Sequence, residues 1–305
     1  MQKKKKRWTL SPDIRSGLVV LLILFFHSGL IAQDANIDSL DHKKLKKLII
    51  GTAVGNALTM TALGSIWYAD QPSQPFHFFD DSREWKQMDK FGHFYSTFHL
   101  SNFLFHTLQN TGLEQRKSNL WGSLTGFLLI TQIEIFDGFS AGYGASLSDI
   151  SFNATGALLA FSQNHFLEKP FINPKYSFHR TSLAPLRPEL LGNGWQEEWV
   201  KDYNGQTIWL SFDMHQLAKG IPKWLNLAIG HGAHNMISAD DQSNLALGYD
   251  PYRQYYLSLD FDFSYLKSKS SLLNSLIYFV NMIHLPAPAL EYNRVSGLNF
   301  HWFYF

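Results

Sequence analysis

Tyr255-Tyr256-Leu257-Ser258-Leu259-Asp260-Phe261-Asp262-Phe263-Ser264-Tyr265 alternates large apolar residues with smaller polar ones. Side chains on a strand point alternately to opposite faces, so this stretch predicts a strand with one apolar and one wet face. Thr207–Phe212 and Trp224–Gly230 are weaker strands of the same kind, and Leu298–Phe305 is a short aromatic one. Ser271–Ile283 reads as an apolar helix, ended by Pro286 and Pro288. About four strands fall short of the eight that the smallest outer-membrane barrels need. Residues 195–305 are therefore expected to form a small antiparallel aromatic sheet with an extra helix, packed on what precedes it. Residues 168–194 hold Pro170, Pro174, Pro185 and Pro188 and read as an irregular connector.

Upstream the period changes. Residues 33–167 read as an apolar four-helix bundle, which makes the chain α+β. The first helix starts near Asp41 and runs into the uncharged stretch Leu48–Ala69. The second runs from about Glu84 to Leu108, behind Asp80-Asp81-Ser82 as N-cap chemistry. The third spans about Glu114–Phe136 and the fourth about Ser146–His165. Gly51/Gly55 and Gly122/Gly126 recur at four-residue spacing, which lets helices approach closely. Leu48–Ala69 and Ser118–Ile133 are the best candidates for contact with lipid.

The N-terminus reads as an address. Lys3–Arg7 is basic, Gly17–Phe26 is apolar, and small residues follow up to Ala32. That order predicts a signal peptide over residues 1–32. Without it the formal net charge of +1 becomes negative, because the leader holds six Lys and Arg against one Asp. Charged residues are only 17% of the chain, while apolar residues make up 45% and aromatics 15%. This composition excludes disorder and gives no basic field for nucleic acid. Cysteine is absent, which excludes disulfides, thiolate metal sites and cysteine nucleophiles. There is no nucleotide-binding loop and no serine elbow, and Ser148 and Ser151 beside Asp149 form no nucleophile–base arrangement.

The chemistry-bearing residues fall in three short clusters. Asp89, Lys90 and His93 open the second helix, and Asp89 and His93 share a face. Glu134 and Asp137 close the third helix; Asp149 and Asn153 open the fourth. In an up-down bundle all three clusters meet at one end. Charges in apolar surroundings are costly unless paired. The convergence therefore reads either as an ion-paired network around Lys90 with a cap from Asp149, or as a ligand site. Asp89 and His93 facing Glu134 and Asp137 is the layout of carboxylate–histidine sites in helix bundles. Histidine with carboxylates suits a divalent zinc, manganese or iron ion. His99 and His106 read as packed side chains, and His231 and His234 as a strand end or turn.

Asp89-Lys90-x-x-His93, Glu134-x-x-Asp137 and Ser148-Asp149-x-x-x-Asn153-x-x-Gly156 together resemble the YfiM-like family of uncharacterised predicted periplasmic lipoproteins. Asp202–Ser211 and Tyr252–Asp260 extend the resemblance over most of the chain. The helical motif is also similar to the VanZ-like membrane bundles. The resemblance implies an exported protein of the cell envelope, at the periplasmic face of the outer membrane rather than the inner. It implies no reaction, and the absence of cysteine removes the lipid attachment site that the family label presupposes. The expected function is structural, or binding of a membrane lipid or an envelope protein. The alternative is a metal-dependent or acid/base enzyme acting on an envelope lipid, with Lys90 meeting a phosphate.

Overall fold

The computed structural model describes residues 40–68, 71–266 and 268–305; the leader read at 1–32 lies outside the described residues. Helix α1 (His42–Leu63) is capped by Asp41, whose carboxylate accepts the N–H groups of Lys43 and Lys44. It runs into a π-helical turn, Gly64–Tyr68. Helices α2 (Met88–Gln109), α3 (Gln115–Gly138) and α4 (Leu147–Phe166) pack closely on one another. Glycines bring their backbones together. A Cβ on Gly122 of α3 would sit 2.6 Å from Phe105 N, and one on Gly156 of α4 would overlap Phe94 O. Side chains larger than hydrogen would force α2 away from both neighbours. Phe94, Phe98, Phe103, Leu104 and Phe105 of α2 are buried as a result.

Where the sequence predicts four packed helices, α1 touches the other three only lightly. It buries Gly55 and Ala62, joins α3 through Asn56 and Gln132, and leaves Ile49, Ile50, Val54 and Leu58 exposed. Among the described residues no helix is long and apolar enough to cross a membrane. The described helices in stretches 48–68 and 118–133 are therefore not long and apolar enough to span a membrane.

The remainder is a six-stranded antiparallel meander in chain order: β1 (Ile172–Phe178), β2 (Gln206–Phe212), β3 (Leu225–His234), β4 (Tyr252–Phe261), β5 (Ala287–Asn293) and β6 (Gly297–Tyr304). Helix α5 (Ser271–Asn281) joins β4 to β5. Two strands lie where proline pointed to none. β1 falls inside the 168–194 stretch read as irregular, and β5 follows Pro286 and contains Pro288 beside a register shift.

The sheet is rolled. Lys175 on β1 meets Asp260 on β4 at 2.7 Å, and Thr207 on β2 meets the Tyr304 hydroxyl on β6 at 3.1 Å. Strands sit about 4.8 Å apart in a sheet, so partners three and four strands away touch only across a closed interior. Trp209, Tyr256, Tyr304 and His284 fill that interior; the His284 ring stacks on Trp209 at 3.8 Å. The free edge of β1 is covered by residues 282–284, where Tyr176 N–H donates to Met282 O and His284 N–H to Tyr176 O.

The two faces are the reverse of the sequence expectation. Ser258 and Asp260, read as the wet face of β4, are buried, with Asp260 fully so. Leu257 and Leu259 are 43% and 44% exposed. The interior carries Lys175, Ser177, Thr207, Ser211, Asn226, Asp260, Glu291 and Asn293. Its groups are linked to one another: Ser211 donates to Asp260 at 2.6 Å, Asn226 to Ser211 at 3.0 Å and Asn293 to Glu291 at 2.7 Å, while Asn226 Oδ1 and Asp260 Oδ1 have no hydrogen-bond donor among the described residues. The outer face runs in register as Leu210, Ile229, Leu257, Leu290 and Phe300 across β2 to β6. Helix α2 covers part of this face at β1–β3, through Tyr95 against Tyr176 and Phe91 against His231. From Ile229 to Trp302 it is bare.

Candidate functional site

Lys90 stands at the start of α2, 1% exposed, with its ammonium within reach of three carboxylates. Asp81 lies at 2.5 Å, Asp89 at 2.8 Å and Asp149 at 3.0 Å. Burial works against its charge, but Asp89 and Asp149 outweigh that and raise its pKa. For Asp81, burial is likewise outweighed by hydrogen bonds from Lys90 and Ser146, and its pKa falls below the usual carboxylate range. Asp81 was legible only as a helix cap. Here α2 starts later, at Met88, and Asp81 instead accepts from Lys90, Ser146 (2.5 Å) and Ser148 (3.0 Å).

The chain between Asp81 and α2 is unusual. Trp85, Lys86 and Gln87 all take positive φ, at 47°, 53° and 69°. L-residues resist this conformation by about 1–2 kcal/mol each, so neighbouring contacts must hold it. Trp85 N–H donates to Ala239 O at 2.8 Å, the Gln87 amide donates to Ser82 O at 2.8 Å, Lys86 pairs with Asp241 at 2.6 Å, and Arg253 donates to Gln87. The β3–β4 region thereby clamps the entry to α2.

One turn further along α2, His93 Nδ1 lies 3.1 Å from Asn153 Oδ1. That oxygen only accepts, so Nδ1 carries a hydrogen, and in the neutral ring Nε2 is the nitrogen with the lone pair. Asn153 is fixed in turn by Thr97 (3.1 Å) and Thr131 (3.3 Å). Nε2 faces Glu134 Oε1 across 3.7 Å, too long for a hydrogen bond. Glu134 Oε2 accepts Ser146 N–H at 2.9 Å, while Oε1 is buried with no hydrogen-bond partner. Burial pushes the Glu134 carboxyl up to about 8 and the Asp149 carboxyl up to about 6, and it raises Asp89 as well.

The end of α3 and the starts of α2 and α4 thus come together as the helix spacing predicts, but with different partners within the cluster. Ligand-type atoms of His93, Glu134 and Asp149 lie within 4.8 Å of one another, and so do those of Asp81, Asp89 and Asp149. Asp137 is in neither group: its carboxylate accepts the Tyr68 hydroxyl at 2.7 Å, and burial pushes its pKa up to about 6. Asp89 pairs with Lys90 at 2.8 Å. Glu84, which the sequence reading did not single out, lies near the cluster, and burial together with Asp81 pushes its pKa up to about 7. Lys90 is enclosed by the carboxylates of Asp81, Asp89 and Asp149.

His99 Nε2 bonds Pro174 O at 2.8 Å, and His231 and His234 lie within β3.

Residues 77–165 match the model of a family described as predicted periplasmic lipoprotein (DUF2279). No curated protein and no solved structure matches the chain. The matched stretch holds every charged residue around Lys90 and His93 and ends before β1. The sheet motifs at 202–211 and 252–260 lie outside it. The family description fits an uncharacterised protein of the cell envelope, and the sequence here contains no cysteine.

Proposed function

We propose that this chain is an envelope protein seated in lipid through the outer face of its rolled sheet, with a structural or lipid-binding role. The observation that carries the reading is the reversal of that sheet. Water favours polar residues outside and apolar residues within. Here Lys175, Asp260 and Glu291 are inside, while Phe300 and Trp302 stand 52% and 72% exposed. An apolar exterior around a hydrogen-bonded polar interior is the arrangement that a bilayer selects for strands. The same trend extends over the whole molecule, where more polar than apolar side chains are fully buried among the described residues. α3 buries Ser118, Asn119 and Ser123 but exposes Leu120, Trp121, Leu124 and Leu128. α5 turns Leu273, Leu276 and Val280 outward. Contiguous apolar surface of this extent marks a lipid or protein contact. The envelope description of the family matched by residues 77–165 agrees with an exported location, and the apolar outer strands favour the outer membrane over the inner.

The test is fractionation of cells expressing the full chain. The reading expects the protein in carbonate-washed membranes and in solution only with detergent. It expects Leu257→Lys/Phe300→Lys to shift the protein towards the soluble fraction. A wild-type chain that is monodisperse without detergent would overturn it.

A second reading, an acid/base or metal-dependent enzyme acting on an envelope lipid, is favoured by one observation. Glu134, a carboxyl that holds its proton near neutral pH, lies 3.7 Å from a histidine lone pair. If Glu134→Gln and His93→Ala fully complement a deletion strain, this reading fails.

A further inference from the structure

We propose that His93, Glu134 and Asp149 form a binding site for one divalent cation of the zinc–manganese–iron class. This inference does not rest on the lipid reading, and either can fail alone.

The first support is geometric. The three side chains come from three different helices, and their ligand atoms gather within 4.8 Å of one another. Ligands on one first-row ion, each about 2.1 Å from it, lie roughly 3.0–4.2 Å apart. The separation of 3.7 Å between His93 Nε2 and Glu134 Oε1 falls in that range. One imidazole and two carboxylates are the donor set of borderline ions, not of calcium or magnesium.

The second support is independent of the clustering. Glu134 is 2% exposed, yet its Oε1 is aimed at His93 Nε2 with no hydrogen-bond partner. A buried acceptor without a donor costs about 1–3 kcal/mol, so such atoms call for an occupant. Asp149 Oδ1 pairs with the Lys90 ammonium at 3.0 Å, so the unpartnered ligand atom of the group is Glu134 Oε1.

The third support is the outer layer. Metal-bound histidine usually donates its other N–H to a fixed oxygen, which sets the tautomer. His93 Nδ1 does this to Asn153, which Thr97 and Thr131 hold in place. The neighbouring group, Asp81, Asp89 and Asp149, is a poorer candidate because the Lys90 ammonium already fills it. Lys90 alone does not neutralise Asp81, Asp89 and Asp149, and a dication on the His93 side, displacing the Glu134 proton, offsets the surplus.

The experiment uses the full chain purified in detergent. It is loaded with Zn²⁺ or, separately, Mn²⁺, dialysed, and assayed for metal by mass spectrometry. The expected result is about one equivalent per chain. Glu134→Gln is expected to retain at least tenfold less, and Asp137→Asn to retain the wild-type amount. Glu134→Gln keeps an oxygen to accept Ser146 N–H, and circular dichroism and gel filtration check its fold. Should that variant misfold, the wild-type protein still decides. Co²⁺ loading is expected to give a visible ligand-field spectrum that one equivalent of Zn²⁺ abolishes. No retained metal and no such spectrum in the wild type overturns the proposal, as does equal retention in a folded Glu134→Gln variant.

Discussion

Replacing Lys90 with methionine removes the one ammonium that Asp81, Asp89 and Asp149 share. Its Nζ lies 2.5, 2.8 and 3.0 Å from those three carboxylates, and its side chain is 1% exposed. Methionine matches the shape of the stem and leaves the acids buried without a counter-charge. Removing one partner of a buried ion pair typically costs about 3–5 kcal/mol. With three acids stranded, the loss should lie at the upper end of that range, about 5 kcal/mol. For a chain of this size that corresponds to a fall in melting temperature on the order of 10 °C. Thermal unfolding of detergent-purified protein, followed by circular dichroism, measures it. The pH dependence provides a second reading. In the variant the folded state holds the acids protonated above their ordinary pKa, so it binds more protons than the unfolded chain. Its stability therefore falls as pH rises, and the deficit is smallest near pH 5 and largest near pH 8. Lys90→Met/Asp149→Asn should recover part of the loss. A Lys90→Met variant within about 1 kcal/mol of wild type, with no change in pH dependence, would refute the reasoning.

Gly156→Ala should cost about 1–3 kcal/mol, because its methyl meets Phe94 O across the α2–α4 contact. Gly92→Ala, with nothing within 4 Å of the added carbon, should leave the melting temperature unchanged or raised. Equal effects at the two positions would contradict the close approach of the helices. His99 should titrate near 4 in the folded protein, because burial disfavours its charged form. Between about 4 and 6.5 the unfolded chain then binds the extra proton, so this residue's contribution to stability is full above 6.5 and is lost on acidification. Nitrogen NMR of the histidine rings reads the pKa directly, and a His99 titration at 6.5 would show that the ring is not held neutral.

Much of the helical region was legible because its signals are local. Apolar runs placed α2, α3 and α4, Ser146 marked the start of α4, and the spacing of Asp89, His93, Glu134, Asp149 and Asn153 anticipated their meeting at one end. What spacing does not carry is rotation between helices. That rotation gives Asp149 to His93, Asp89 to Lys90 and Asp137 to Tyr68. The unusual turn at Trp85–Gln87 has no glycine to announce it, so Asp81 could be read only as a cap.

In the sheet, alternation reveals that a strand has two faces but not which one is buried. The assumption that Ser258 and Asp260 face water holds for a strand in solution, and it reverses where polar groups hydrogen-bond one another inside a rolled sheet, as Ser211 does with Asp260. β1 and β5 were hidden by Pro174, Pro286 and Pro288. A proline removes a donor without preventing pairing where a strand is irregular or at an edge.

The central claim is that the outer face of the sheet meets lipid. Because the sequence contains no cysteine, single cysteines can be introduced at Leu257, Leu290 and Phe300, with Asn193 as an exposed polar reference. Each carries a nitroxide, and the protein is reconstituted in phospholipid vesicles. Collision rates with oxygen, which concentrates in the bilayer, and with a water-soluble nickel chelate are then read by electron paramagnetic resonance. The account predicts high oxygen and low nickel access at Leu257, Leu290 and Phe300, with the opposite at Asn193. Nickel access at the three sheet positions equal to that at Asn193 would contradict it.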